Sequence, residues 1–182
     1  MLQVRIHGRG GQGVVTAAEL LSVAAFLDGA HAQAFPSFGS ERTGAPVVAF
    51  CRIDDREIRV REPIVAPDAL IIQDPTLLHQ VDLFSGLKPD GYILINTAQS
   101  FEALGLGDFV KGFRAERLLT VPATELALKH LGRPLPNAAL LGAFAEGGEE
   151  VTAPVAPGEQ RGKGEAQGRE AVPLRSQGAR EG

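Results

Sequence analysis

The sequence predicts an α/β domain, a three-layer α/β/α arrangement around a mixed, mainly parallel sheet. Three observations carry this. Short apolar segments that read as strands alternate with segments that read as helices, the pattern of a parallel sheet between helix layers. Two of the strand segments, ALIIQ at 69–73 and GYILINT at 91–97, are continuous apolar runs, as in strands buried on both faces. The stretch HGRGGQGVV at 7–15 sets Gly8, Gly10, Gly11 and Gly13 between an apolar strand and an alanine-rich helix, a glycine-rich strand–loop–helix entrance.

Taken in order, LQVRI at 2–6 alternates apolar and polar and reads as a strand. Residues 14–27 are apolar on most sides, with Thr16, Glu19 and Ser22 forming one narrow polar stripe, which predicts a largely buried helix stopped by Asp28-Gly29. HAQAF at 31–35 is a short strand. PSFGSERTGAP at 36–46 is a loop bounded by glycine and proline that carries Glu41 and Arg42. VVAFCRI at 47–53 is a strong strand, Asp54-Asp55 a turn signal, and REIRVR at 56–61 alternates like an edge strand, so the two predict an antiparallel hairpin. After ALIIQ, Pro75 opens a short helix through residue 80. RLLTVP at 117–122 is a weaker strand. ATELALKHL at 123–131 is helical with Gly132 as its stop, and Asn137 is placed to cap a last helix, AALLGAFA. From Glu146 the composition turns to glycine, proline and mixed charge, with no aromatic residue and no apolar run. Such a segment cannot offset its chain entropy by burial. The expected organisation is one domain over residues 1–145 and a low-complexity, disordered tail over 146–182.

Bulk properties exclude several function classes. The formal net charge is −4, so there is no basic field to hold nucleic acid. No apolar run is long enough to span a membrane, and MLQVRIHG lacks a signal-peptide layout. The expected location is the cytoplasm. The single cysteine, Cys51, can neither close an intrachain disulfide nor supply the four thiolates of an iron–sulfur cluster, and it reads as an inert buried thiol. His7, His31, His79 and His130 lack metal-ligand spacing and read as surface or satisfied core histidines; no metal site is expected. No paired carboxylates, nucleophile elbow or Cys/His dyad emerges, so no catalytic residue is assigned.

The glycine loop is the sharpest signal. Gly8-x-Gly10-x-x-Gly13 between strand and helix permits a tight turn, and the helix start offers N–H groups and partial positive charge to a pyrophosphate. Arg9 adds a cation and Gln12 a donor. A glycine turn that merely joins strand to helix has the same appearance. NAD is disfavoured, because its ribose needs an acid at the end of the second strand, where Asp28 comes too early and Glu41 too late. The loop lacks the Gly-Lys-Ser/Thr of a P-loop. Further polar residues fall just past strand ends: Ser37, Thr43, Asp74, Thr76, Asn96, Thr97 and Thr124. In open α/β sheets ligands gather there, although loops are polar everywhere. Glu41-Arg42 fits either an internal ion pair or a docking surface.

Five segments, HGRGGQGVVTAAELL, AFPSFGSERTGAPVVAF, IIQDPTLL, YILINT and GRPLPNAALLGAFA, together resemble the gamma subunit of the 2-oxoacid:ferredoxin oxidoreductases, pyruvate type, over residues 3–145. The resemblance implies a complex that oxidatively decarboxylates a 2-oxoacid, passes the acyl group to coenzyme A, and reduces ferredoxin or flavodoxin. It implies that thiamine diphosphate, Mg and iron–sulfur clusters sit on partner chains, the alpha, beta and delta-type subunits, and that this chain is inactive alone. It associates this kind of domain with coenzyme A, for which Gly8, Arg9, Gly10, Gly11, Gln12 and Gly13 are then the expected contacts, with Glu41 and Arg42 as further phosphate or partner contacts. The Ser40–Pro46 pattern resembles the pyruvate and branched-chain (2-ketoisovalerate) types, with Thr43 where the family more often has a second arginine. Relatives usually continue past GAFA with a packed helical segment. Here EGGEEVTAPVAPGEQ follows, either from a shifted reading frame or as a divergent tail, and the former is expected to uncover an apolar face near Leu140 and Phe144. A stand-alone dinucleotide enzyme and a nucleotide-sensing or purely structural module are the competing classes.

Overall fold

Six strands form one sheet in the order β2-β3-β1-β4-β5-β6. The strands are β1 (Leu2–Arg9), β2 (His31–Pro36), β3 (Pro46–Asp54), β4 (Ala69–Ile72), β5 (Tyr92–Asn96) and β6 (Leu118–Val121). The helices are α1 (Val14–Leu27), α2 (Gly107–Val110), α3 (Ala123–Leu131) and α4 (Asn137–Gly147). The computed structural model describes residues 1–37 and 43–147. Among them, no helix is long and apolar enough to cross a membrane. β1, β4, β5 and β6 run parallel, and β3 alone is reversed, pairing antiparallel with both β1 and β2. The mixed, mainly parallel sheet of the sequence reading is therefore the observed one. Its central strands β4 and β5 are buried at every residue, as their unbroken apolar runs require.

The two faces are covered differently. Val4, Ile6, Ala49, Cys51, Ala69, Ile71, Tyr92 and Leu94 point to one face, where they meet Val14, Ala17 and Ala18 of α1, Ala123 of α3, and Leu140 and Phe144 of α4. Ile72, Ile93 and Ile95 point to the other, against Leu77, Leu83, Phe101 and Val110. That second layer consists of α2, short 3₁₀ turns at Pro75–His79 and Ala115–Arg117, and irregular chain.

Several sequence expectations change. REIRVR does not form a strand: β1 and β2 already occupy both edges of β3, so no edge remains for a hairpin partner. The segment instead crosses the second face, where the Arg52 guanidinium of β3 donates to the carbonyls of Val60 and Glu62. The helix α1 is not largely buried. A helix apolar all round but laid on one side of a sheet buries only one stripe. Val14, Ala17 and Ala18 are buried, while Leu20, Val23, Phe26 and Leu27 are exposed. The short helix expected after Asp74 is present as a 3₁₀ turn over Pro75–His79, with Asp74 accepting from the Thr76 amide at its start. Asn137 is not a cap but the first residue of α4, and its side chain reaches away from its own helix. Leu140 and Phe144 are covered, Phe144 standing edge-on to Tyr92 at 5.4 Å. Of the tail expected to be disordered from Glu146 on, Glu146 and Gly147 instead end α4, and the rest, like Glu41 and Arg42, falls outside the described residues.

Candidate functional site

The carboxyl ends of the parallel strands bring the glycine loop, Asp74, Asn96 and the starts of α1, α3 and α4 into one region. β1 hands over to the loop at Arg9, and α1 begins at Val14. Gly13 stands at the helix entrance with φ 73° and ψ 35°, the left-handed region, and a Cβ there would lie 2.8 Å from Asn137 Nδ2. Both facts require glycine. Gly8 serves close packing: a Cβ there would lie 2.6 Å from Val14 Cγ2. The loop is closed below by Gln12 N–H donating to the Arg9 carbonyl, and flanked by Gly10 N–H donating to Ala45 and Gly44 N–H donating to Gly10. Residues 43–45, the return of the second signature loop, are thus bonded directly to the first.

No side chain caps α1. Among the described residues, the backbone N–H groups of Gly11, Gly13, Val14, Val15 and Thr16 find no hydrogen-bond partner. They border a cleft of about 740 Å³ lined by the loop, Val14–Thr16, Pro36, Ser37 and Val47. Free amides, the positive end of a 14-residue helix and flanking apolar walls suit an anion attached to an organic group. A second cleft of about 310 Å³, on the side of β4 to β6, is lined by Gln12, Asp74, Asn96, Thr97, Thr124 and their neighbours.

The side chains singled out from sequence take up definite positions. Arg9 and Gln12 meet at Asp74: Arg9 Nε lies 3.0 Å and Gln12 Nε2 2.8 Å from Asp74 Oδ2. Arg9 also donates to the Gly44 carbonyl, to Thr76 Oγ1 and to Gln80 Oε1. Burial works against ionisation of Asp74. The hydrogen bonds from Thr76 and Gln12 and the charge of Arg9 outweigh it, and the carboxyl titrates below the usual carboxylate range. Asn96 ties β5 to the start of α3, donating to the Gln73 carbonyl and Thr124 Oγ1 while accepting from Thr124 N–H. Of the polar residues past strand ends, Ser37 lines the larger cleft, Asp74, Asn96, Thr97 and Thr124 line the smaller, and Thr76 joins the Arg9 network.

Sequence reasoning missed Gln73 and Asn137. Gln73 Nε2 donates to Asn137 Oδ1, and Asn137 Nδ2 donates to the Gly13 carbonyl, so α4 props the loop from beneath. No spacing rule links residues so far apart in the chain. Cys51 is buried in the helical-face core and its thiol is pushed up to about 12 by that burial, a packed thiol rather than a cluster ligand. His7 is buried on the second face with Nε2 unpartnered.

Fold and site together define a single-sheet α/β domain with a glycine-rich loop at its first strand–helix junction. Comparison with known proteins gives the family. Residues 3–160 match the family model described as pyruvate ferredoxin/flavodoxin oxidoreductase, and the chain belongs to that family. It is similar to pyruvate synthase subunit PorC of Methanosarcina barkeri, 52% identical over 151 residues, covering 83% of this chain and 80% of that one. The crystal structure of pyruvate oxidoreductase subunit PORC from Thermotoga maritima superposes with a TM-score of 0.64 at 38% identity, over 79% of this chain and 74% of that one. A 2-oxoglutarate:ferredoxin oxidoreductase from Magnetococcus marinus, solved with 2-oxoglutarate, coenzyme A and succinyl-CoA bound, shares the fold. Its TM-score is 0.60 at 19% identity, over 80% of this chain and 24% of that chain. The likeness to gamma subunits read from the five sequence segments holds.

Proposed function

We propose that this chain is the gamma subunit of a cytoplasmic complex that oxidatively decarboxylates pyruvate with coenzyme A, giving acetyl-CoA, CO2 and reduced ferredoxin or flavodoxin, and that its glycine loop holds the coenzyme A pyrophosphate. The observation that carries the site assignment is the set of amides, those of Gly11, Gly13, Val14, Val15 and Thr16, that border the larger cleft and find no partner among the described residues. Gly8, Gly10, Gly11 and Gly13 shape that cradle, and Arg9 and Gln12 hold it in form. Glu41 and Arg42 are assigned as further phosphate or partner contacts on the sequence alone. The pyruvate assignment draws on the relatives' names, and the coenzyme A assignment also on the ligand of the 2-oxoglutarate enzyme. Alpha, beta and delta-type partners carry thiamine diphosphate, Mg and the iron–sulfur clusters, which supply the decarboxylation and electron-transfer chemistry. The donor set of this chain, one packed thiol, does not fit a cluster.

The chain turns over nothing by itself. In the assembled complex, Gly11→Val forces a β-branched residue into φ 91°, the left-handed region, so it disturbs the backbone of the cradle although no atom of the described residues lies within 4 Å of the new Cβ. The KM for coenzyme A is expected to rise on the order of tenfold or more, the size of one lost phosphate contact, with the KM for pyruvate unchanged. An unchanged coenzyme A KM removes the cradle assignment.

A further inference from the structure

We propose that Asp74 is the positioning residue of this site: its carboxylate holds the glycine loop and the return of the second loop in the ligand-ready arrangement. This rests on the coenzyme A reading above and goes beyond it, because nothing in that reading involves Asp74.

The register of the sheet puts the carboxylate there. His7 of β1 lies beside Ile72 of β4, so the chain two residues on sets Arg9 beside Asp74. The two carboxylate oxygens then divide their work. Oδ1 accepts from Thr76 N–H at 3.0 Å and from Thr76 Oγ1 at 2.6 Å, fixing the turn that follows β4. Oδ2 accepts from Arg9 Nε and from Gln12 Nε2, the two polar side chains of the glycine loop. Gln12 returns its own Oε1 to Arg9 N–H at 2.7 Å, which locks the turn between them. Arg9 spends its remaining reach on Gly44 O at 3.0 Å, Thr76 Oγ1 at 2.7 Å and Gln80 Oε1 at 2.9 Å. Four of its five N–H groups are therefore committed inside the protein.

Two consequences follow. The Arg9 charge is already matched by Asp74 at 3.0 Å, in a pair whose side chains are only 21% and 12% exposed. Phosphate recognition accordingly falls to the backbone amides of Gly11, Gly13, Val14, Val15 and Thr16, with Arg9 acting as a strut. And since Arg9 holds Gly44 O while Gly10 and residues 44–45 exchange backbone hydrogen bonds, the Asp74 link through Arg9 braces the glycine loop and residues 43–45 against the turn after β4.

The test uses the assembled complex and coenzyme A itself. Asp74→Asn is nearly isosteric. The amide keeps one oxygen for the Thr76 turn but presents an NH2 to Arg9 and Gln12, which are both donors. The expected result is a coenzyme A KM raised on the order of tenfold, the weight of one charge-assisted hydrogen bond, with kcat within about twofold. Arg9→Gln is expected to act similarly. Combining it with Asp74→Asn is expected to be no worse than either change alone, because the two introduced amide side chains can pair with each other; a multiplicative double variant overturns the proposal. Thr76→Val, at the exposed rim of the network, gives a smaller shift in the same direction and covers the case in which Asp74→Asn assembles poorly. If Gly11→Val raises the coenzyme A KM while Asp74→Asn and Thr76→Val leave it unchanged, the positioning role is wrong and the site reading stands. If all three leave it unchanged, the site reading falls and this proposal with it.

Discussion

The two faces of the sheet solve the same burial problem by different means. On one face, helices α1, α3 and α4 lie against Val4, Ile6, Ile71, Tyr92 and Leu94 in an apolar core, with polar contacts at the helix starts. Helices satisfy their own backbone groups, so the strands beneath need offer only hydrocarbon. On the other face, much of the cover is irregular chain, whose carbonyls have no ladder to join. There the strands offer arginines. Arg5 Nη2 donates to the carbonyls of Leu83 and Ser85, both at 2.7 Å; Arg52 reaches those of Val60 and Glu62; Arg9 reaches that of Gly44. Arg5 and Arg52 are held below the usual guanidinium range, chiefly by burial, with Asp82 and Glu62 opposing the shift. The planar fork suits the task because one side chain serves two acceptors. The site grows from this second solution: Arg9 is the last of the alternating row Arg5, His7, Arg9 on β1, and it braces a loop that binds ligand instead of one that only packs.

The largest effect that breaks this comparison is at Arg5. Arg5→Met keeps the buried stem and removes both bonds, leaving the Leu83 and Ser85 carbonyls without a donor. The expected loss is about 2–3 kcal/mol of unfolding free energy, read by denaturant titration. A loss below about 0.5 kcal/mol, the level of an indifferent surface change, shows that these carbonyls do not depend on the fork.

Next comes His7, the uncharged member of the row. Burial first, and the adjacent Arg5 charge second, push it down to about 3. An unfolded histidine titrates near 6.5. Between those values the unfolded chain binds a proton that the folded chain refuses, so stability falls as pH falls below about 6.5, by about 1.4 kcal/mol per unit. At pH 5 this amounts to about 2 kcal/mol, present in the wild type and absent in His7→Leu. The fall in Tm between pH 7 and pH 5 is expected to be smaller in the variant. Equal falls place the acid sensitivity elsewhere.

How much of this was legible in the sequence follows the same division. The helical face was readable, because its signals are local: continuous apolar runs in β4 and β5, a glycine stop at Gly132, and the glycine loop before α1. The parallel strands and the junction at Gly8–Gly13 came from periodicity and composition alone. The second face was not readable. REIRVR has the alternation of a strand, but strand formation needs a free edge, and β2 and β1 had taken both edges of β3. Asp74 and Thr76 were visible as polar residues after a strand, and Arg9 and Gln12 as residues of a loop; their convergence was not, because it depends on the β1–β4 register. Asn137 was read through a local rule, as a helix cap, while the structure uses it across the fold to hold Gly13. The exposed apolar stripe of α1 shows the same limit, since composition counts apolar residues and not the surfaces available to cover them.

The smallest expected effect sharpens the rule by separating the residue type from its placement. Arg59 lies in the same crossing segment that Arg52 holds from below, and it donates to Glu57 Oε2 at 3.0 Å. Both side chains are open to solvent, 84% and 68% exposed. Water competes for every bond in that pair, salt screens it, and holding two long side chains together costs entropy. Arg59→Ala is therefore expected to leave the unfolding midpoint unchanged at physiological ionic strength. Arg52→Met, only a few residues away and with the same charge removed, is expected to behave like Arg5→Met, because Arg52 is 2% exposed and its carbonyl partners gain no other donor. Equal losses from the two substitutions mean that net positive charge on this face, rather than the satisfaction of buried carbonyls, is what holds the irregular cover in place. That outcome also weakens the strut role of Arg9, which rests on the same physics. Unequal losses in the expected direction tie the two together: the arginine–carbonyl bonds that let irregular chain cover much of this face are of the same kind as the bond by which Arg9 braces the glycine loop.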